Sequence, residues 1–419
     1  MSQIHTRARQ RVCIVRQSDH YELQVRREAE ALVEGGFDVE VICMRGRKSL
    51  RSEVVNGVDV TYLPSSLGKT SKLRYMLDYA RFFALTSATL TARHLRRPYA
   101  VVQVNTMPDL LVFAAAVPKA LGSRVIAYMH EPSPELAETL FGPGRVSRML
   151  ARVEQRVLRF ADSAITVTEQ LKERYVERGA RGERITVVLN GVDSDTRLGS
   201  WSPPRGAQPS TKFTVICHGA VEDRYGQDTI IQAARILREE MPDLEVVLTG
   251  RGKHEAEILE LIDAHDLNDV VRFEGWVTEE RLNNLLHAAD VGIVAQKASP
   301  YSHLVHTNKM VDYWIFGLPV IASRLRAVSG HYDDSVLEYY EPGDARDLAR
   351  AIRRLHDDPE RREELSRNGR IAEERYGWKV QKRIYVAAVE TLVNERPRIE
   401  SAGAPEPRRE LEGTNPQKV

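Results

Sequence analysis

Short apolar runs alternate with stretches of helical spacing along most of this chain. Residues 12–15, 39–43, 58–63, 101–104, 124–127, 164–167 and 185–188 read as strands. Several are apolar throughout rather than alternating, as strands covered on both faces are. Between the first two, Val25, Ala29 and Leu32 mark one helical face, and Gly35-Gly36 stops it. Residues 109–121 and 169–178 have the spacing of further helices. Strand, helix, strand in repetition predicts a doubly wound α/β sheet.

The rhythm breaks at 197–211, where Pro203-Pro204, Gly206 and Pro209 fall without periodicity, which reads as a linker. It then restarts with strands at 214–217, 246–249, 270–273, 291–294, 320–322 and 336–339, and a helix at 228–239. Two α/β units follow from this, residues 11–196 and 212–377, as expected for a length of 419 residues, beyond the size of a single core. Residues 378–394 have helical spacing and are expected to cross back to the first unit. Residues 395–419, rich in Pro, Glu and Arg, are expected to be disordered.

Composition narrows the function classes. Lys and Arg (60) balance Asp and Glu (59), so no global charge argues for nucleic acid as a partner. Cys13, Cys43 and Cys217 fall inside predicted strands, which fits reduced core thiols rather than a disulfide framework or a zinc site. Residues 1–11 are polar and basic, unlike a secretory signal, and no apolar run approaches the roughly 18 to 20 residues of a spanning helix. A cytoplasmic protein is expected, with peripheral contact at the cytoplasmic face of the inner membrane as its one membrane option.

Ligands of open parallel sheets sit at the carboxyl ends of the strands, which selects the candidate residues. The first such loop carries Asp19 and His20 and lacks Gly-x-Gly-x-x-Gly, which argues against a dinucleotide-dependent dehydrogenase. His130 and Glu131 follow the strand at 124–127 and can meet a sugar hydroxyl or manage a proton. Asn190-Gly191 reads as a turn after 185–188. In the second unit, Gly219 and Gly226 bracket a loop carrying Arg224, a fork for phosphate, and Gly250-Arg251-Gly252 is a second cationic loop. A third is the stretch 307–323. Thr307 is expected to cap a short helix with Asn308, Lys309 and Asp312 near its start, Gly317 stops the helix, and a buried strand follows. Each loop alone has an ordinary surface reading; the expectation is that the three cations converge on one diphosphate, with Asp312 accepting sugar hydroxyls. Separately, in the helix around 72–84, Leu73, Met76, Leu77 and Ala80 make one apolar face and Tyr75, Tyr79 and Phe82 a second stripe among basic residues. The first face reads as core. The second suits an anionic membrane, a lipid-linked acceptor or a plain domain contact.

These segments together resemble the retaining glycosyltransferases of family 4, from about residue 11 to residue 393. The run EAEALVEGGFDV (28–39) resembles their first helix and second strand. ADSAITVT (161–168) with ITVVLNGVD (185–193) resembles the end of their first domain, and DYWIFGLPVIA (312–322) their donor-site signature. The resemblance implies the GT-B fold, two Rossmann-like doubly wound domains facing each other across a cleft. It implies metal-independent, cofactor-free transfer of a sugar from a nucleoside-diphosphate donor to a glycan or lipid-linked acceptor, as in polysaccharide or glycoconjugate biosynthesis. By position, Asp312 takes the place of the second Glu of E-x7-E on the donor ribose, and Lys309 with the amides at Thr307 and Asn308 faces the diphosphate. Arg224, Gly219 and Arg251 lie in the donor loops, and His130 matches the histidine that reaches toward the transferred sugar. Asp19, His20, Glu131 and Asn190 are candidates on the acceptor side. Three departures stand out, one of them the first loop, which reads Asp19-His20-Tyr21 where many relatives have a Gly pair. The first Glu of E-x7-E is Leu304, leaving His303 or His306 as substitutes, and the usual Gly-Arg…Lys-Gly loop is Gly219-Ala220…Tyr225-Gly226, with Arg224 displaced by one position. They keep open a non-catalytic GT-B nucleotide- or lipid-binding partner, and another GT-B enzyme such as a sugar-nucleotide epimerase or a phosphorylase.

Overall fold

A computed structural model describes residues 9–18, 21–45, 50–65, 72–199, 201–203 and 211–394. Asp19 and His20, much of the expected linker and the tail from 395 lie outside the described residues. The first sheet is built from β1 (Arg11–Arg16), β2 (Asp38–Met44), β3 (Ser52–Val55), β4 (Val58–Leu63), β5 (Val101–Asn105), β6 (Arg124–Met129), β7 (Ser163–Thr166) and β8 (Ile185–Val187). Its order is 3-4-2-1-5-6-7-8. Every pairing is parallel except β3 with β4, a hairpin absent from the sequence expectation. Asn56 and Gly57 turn it with φ of 50° and 80°, the left-handed pair that a two-residue hairpin requires. Its Ser52 and Val54 face solvent at the sheet edge, which left no apolar run to read.

The second sheet contains β9 (Phe213–His218), β10 (Leu244–Thr249), β11 (Val271–Phe273), β12 (Val291–Val294), β13 (Val320–Ser323) and β14 (Glu338–Tyr340), in the order 11-10-9-12-13-14. All its pairings are parallel. Val215 and Cys217 of β9 enter one core and Ile216 enters the core on the opposite face. Burial on both faces is why such strands are apolar without alternation. Cys13, Cys43 and Cys217 are all buried in the cores.

Three local readings change. Residues 109–121 form a 3-10 turn, Asp109–Ala115, followed by a short helix, Ala116–Ala120, rather than one helix. Pro118 has no amide for a continuous ladder and is accommodated only in the first turn of the second piece. In the helix Lys72–Arg96 the core takes Phe82, Thr86 and Leu90, with Phe83 packed partly against it, while Met76 and Leu77 of the expected core face are exposed. The first residues of the expected linker, 197 and 198, end a helix, Ser194–Leu198, capped by Asp193, whose Oδ1 accepts the amides of Asp195 and Thr196.

The carboxyl ends of the two sheets meet. The helix Trp378–Asn394 lays Trp378, Tyr385, Val389 and Leu392 into the first core, and Lys382 pairs with Glu34 at 2.5 Å. The loop after β12 reaches the other way. Leu304 is buried in the first core, its carbonyl accepts the Thr168 hydroxyl at 2.6 Å, and Tyr301 donates to Glu131. In each sheet the chain switches direction around its first strand, β1 or β9, which opens the crevice where open sheets bind ligands.

Candidate functional site

The second sheet brings two cations together above β9. Arg224 sits in the 3-10 turn Asp223–Tyr225, and Lys309 opens the helix Lys309–Ile315. The Lys309 ammonium lies 4.3 Å from the centroid of the Tyr225 ring, which the Arg224 guanidinium also covers at 5.0 Å. Burial pushes the Lys309 pKa below its ordinary value, and the charge of Arg224 adds to the fall. Neither cation has a carboxylate within ion-pairing distance among the described residues, and the Arg224 Nε is buried without a partner. Lys297 nearby shows the contrast, paired with both Asp223 and Asp228. Gly219 makes room for this arrangement. Its φ is 110°, and a Cβ there would stand 2.7 Å from Lys309 Cε. Gly250 lies back to back with it, where a Cβ would collide with the Gly219 carbonyl. Arg251, between Gly250 and Gly252, turns outward and is exposed, its guanidinium 5.8 Å from the Trp276 ring. Of the three expected cations the fold joins two.

Thr307 is not the cap of the short helix. Asn308 occupies that position with helical torsions and no capping side chain, and the Thr307 hydroxyl accepts the Lys309 amide at 3.4 Å. The Asn308 Oδ1 is buried without a hydrogen-bond partner. Asp312 lies one turn further on. Its Oδ1 accepts Arg197 Nε at 2.7 Å, and its Oδ2 faces His218 Nε2 at 3.7 Å. Burial raises the Asp312 pKa and Arg197 opposes the rise. His218, pushed down to about 3 by burial, is neutral, so Arg197 is the counter-charge of Asp312. Arg197 also binds Asn283, and Trp201 Nε1 donates to Asn284 at 2.9 Å, so the described part of the expected linker is strapped to the second sheet.

Across the cleft, His130 follows β6 and is buried. Its ring stacks on Tyr128 at 4.0 Å, Gln24 donates to its Nδ1 at 2.8 Å, and its Nε2 faces Glu28 at 3.9 Å. Burial, then Arg16 and Arg27, hold its pKa well below the ordinary value. His130 is thus a neutral ring with the proton on Nε2, and both nitrogens turn inward. Glu28 forms the floor of this network. Its Oε2 accepts Gln103 and Asn105 at 2.8 and 2.7 Å, and Tyr385 donates to Gln103. Glu131 Oε2 is bound by the Tyr301 hydroxyl. Asn190 is no simple turn residue, since its amide donates to the His306 carbonyl at 3.5 Å, and Gly191 lies against the Trp378 backbone. The substitutes for the glutamate missing at 304 face elsewhere. His303 accepts the Arg326 amide, and His306, held neutral by burial, lies against Tyr332 and His331.

A cavity of about 620 Å³ joins the two sides, with Arg16, Glu131, Arg224 and Tyr301 at one end. The larger cavity, about 870 Å³, lies against the crossing helix and holds none of these residues. Glu28, Arg197 and Tyr301 were missed in sequence. Glu28 resembles any helix surface residue, and the partners of Arg197 and Tyr301 lie 115 and 170 positions away.

Residues 21–191 match the family model of a glycosyl transferase 4-like domain, and residues 202–372 that of glycosyl transferases group 1. The lipopolysaccharide core biosynthesis glycosyltransferase LpsD of Rhizobium meliloti is 33% identical over 164 residues, 38% of this chain and 44% of that protein. A D-inositol 3-phosphate glycosyltransferase of an Arthrobacter species is 26% identical over 259 residues, 58% of this chain and 60% of the relative. The matched region thus spans about half the length of these curated relatives. Among solved structures, sucrose-phosphate synthase of Thermosynechococcus elongatus superposes with a TM-score of 0.72 at 18% identity, over 92% of this chain and 99% of that one. Anabaena HepE in complex with UDP-glucose superposes with a TM-score of 0.67 at 16% identity, over 91% and 99%. At these identities the structures share the fold.

Proposed function

This chain belongs to glycosyltransferase family 4, with the GT-B fold, and we propose that it moves a sugar from a nucleoside-diphosphate donor to a glycan or lipid-linked acceptor. The observation that carries this reading is the Arg224–Lys309 pair, two cations in one cleft, neither of which forms an ion pair with a carboxylate among the described residues. Such a pair suits the charge that grows on a departing diphosphate, and fixed donors of this kind commonly supply the largest catalytic term. We assign Asp312 Oδ2, which the Arg197 hydrogen bond leaves open, as the acceptor of ribose hydroxyls. Thr307 borders the same anion, and the orphaned Asn308 Oδ1 is free to accept a sugar hydroxyl. Arg251 is placed at the rim of the donor side.

Transfer proceeds without a covalent enzyme intermediate. The two carboxylates lining the cavity, Glu131 and Asp109, accept hydrogen bonds from Tyr301 and Ser133, and we assign neither the role of nucleophile. The family resemblance implies that departure and attack share one face of the sugar, so that configuration is retained, and we adopt that course. In this reading the departing diphosphate takes the proton of the incoming hydroxyl, and Arg224 and Lys309 answer its charge in place of a metal. His130 supports the site from below as a neutral ring that adds no charge. Glu131 and Asn190 hold the two domains together where the acceptor enters. Asp19 and His20 remain acceptor-side candidates from sequence.

The rival reading, a nucleotide-binding partner without transfer, is favoured by one feature, the burial of Leu304 in the opposite core. Thermal shifts with uridine, guanosine, adenosine and thymidine diphosphates and their sugars test the proposal. A ligand at 100 times its Kd adds about 2.7 kcal/mol, an easily read shift. One base series standing out supports a donor site, and release of the diphosphate with membrane or glycan extracts separates transfer from binding. Silence across the panel refutes the donor assignment.

A further inference from the structure

The cleft cavity has an apolar half that sugar transfer from a soluble donor does not require. From its polar end at Glu131, Arg224 and Tyr301 it runs between three elements of the first domain, walled by Tyr75, Leu136, Leu140, Phe141 and Met149. These elements are the helix Lys72–Arg96 and the helices Ser133–Phe141 and Arg145–Phe160. The wall continues onto the outer surface instead of closing. Phe141 is 77% exposed and Met149 55%, with Val146, Met76 and Leu77 exposed in addition. Exposed apolar side chains contiguous over several elements are uncommon on a protein without a partner for them.

The helix Arg145–Phe160 supplies the second observation. Arg145, Arg148, Arg152, Arg156 and Arg159 recur every three or four residues and are all exposed. None of them makes an ion pair among the described residues. The acid of this helix, Glu154, points inward to Arg178. An uncompensated cationic row beside exposed Leu140, Phe141 and Met149 is complementary to a surface that is anionic outside and hydrocarbon beneath.

We propose that this face of the first domain docks on an anionic bilayer, and that the cavity receives the hydrocarbon of a lipid-linked acceptor whose head points to Arg224. The acceptor half rests on the glycosyltransferase reading above; the docking half stands on the surface alone. The full chain should float with vesicles of phosphatidylcholine containing about 30 mol% phosphatidylglycerol, whose negative surface potential attracts basic segments. It should stay behind with phosphatidylcholine alone, and 1 M salt should release it. Arg148→Glu with Arg152→Glu should lower vesicle binding about tenfold or more, and Phe141→Ser should weaken it independently. Ala137→Phe, which fills the cavity beside Leu136, should leave vesicle docking intact and abolish the thermal shift given by dodecyl phosphate.

Equal flotation with neutral vesicles, no flotation at all, or a concentration-dependent dimer abolished by Phe141→Ser would each overturn docking. A shift from dodecyl phosphate unchanged by Ala137→Phe would overturn the cavity assignment. The nucleotide panel run on the same variants keeps the two readings apart. Nucleotide binding without flotation sinks the membrane inference alone, and flotation without nucleotide binding sinks the donor site alone.

Discussion

Lys309 depends on a neighbour with no side chain. It passes over Gly219 to reach Tyr225, and burial together with Arg224 disfavours its charge. An anion between the two cations relieves that cost, so Lys309 is poised to bind one. Lys309→Ala is expected to lower turnover about 100-fold or more with little change in melting temperature; an unaltered rate removes Lys309 from the site. Glu28 shows a different residue-scale effect. Burial pushes its carboxyl from 4.5 up to about 7. Across that window the folded chain holds a proton that the unfolded chain has released, so this group's contribution to stability falls as pH rises and is lost above about pH 7. Glu28→Gln, always neutral, should remove that decline, a gain of about 3 kcal/mol at pH 8 relative to pH 4. Denaturant unfolding of both proteins at the two pH values measures it, and parallel profiles would contradict the assignment.

Among the elements, the strap and the clasp decide how the cleft is held. The helix Ser194–Leu198 starts at the capping Asp193 and delivers Arg197 to Asp312 and Asn283. Both partners of the Arg197–Asp312 pair are largely buried, and removing one leaves the other uncompensated. Arg197→Met should therefore cost about 3 to 5 kcal/mol, read by chemical denaturation. A loss below about 1 kcal/mol would mean that the pair behaves as a surface contact. The loop carrying Tyr301, Leu304 and His306 is the clasp, with one contact each to Glu131, Thr168 and Asn190. The apolar rhythm that marks strands is silent about both devices. Pro203-Pro204 announced a break in regular structure, and nothing in the local pattern announced that Arg197 just before it is buried. The edge strand β3 was illegible for a related reason, since a half-exposed strand of four residues carries too little periodicity.

At the scale of the whole molecule, the helix Trp378–Asn394 ties the second domain to the first. It follows the last element of the second sheet but covers the first core with Trp378, Tyr385, Val389 and Leu392. Tyr385 also closes the polar network over Glu28 by donating to Gln103 at 2.9 Å. A chain ending at residue 377 would expose that apolar surface and leave Gln103 short of a partner. It should be poorly soluble and its first domain rapidly cleaved in limited proteolysis, while the second domain resists. Equal protection of both domains would show that the crossing helix is dispensable.

The order of apolar runs was sufficient to determine two α/β sheets, because a parallel strand buried on both faces has few other ways to be written. Residue type and place at strand ends likewise singled out Arg224, Lys309 and Asp312. Which of the candidates meet was decided by tertiary structure alone. Arg251 and Lys309 have the same charge and similar loops, yet one lies exposed over Trp276 and the other is drawn over Gly219 toward Tyr225. His130 is legible as a histidine at a strand end, but its neutrality comes from burial and from Gln24, Arg16 and Arg27. Local pattern records what a segment does with its own backbone. The charge state and direction of a side chain depend on neighbours that only the folded chain supplies.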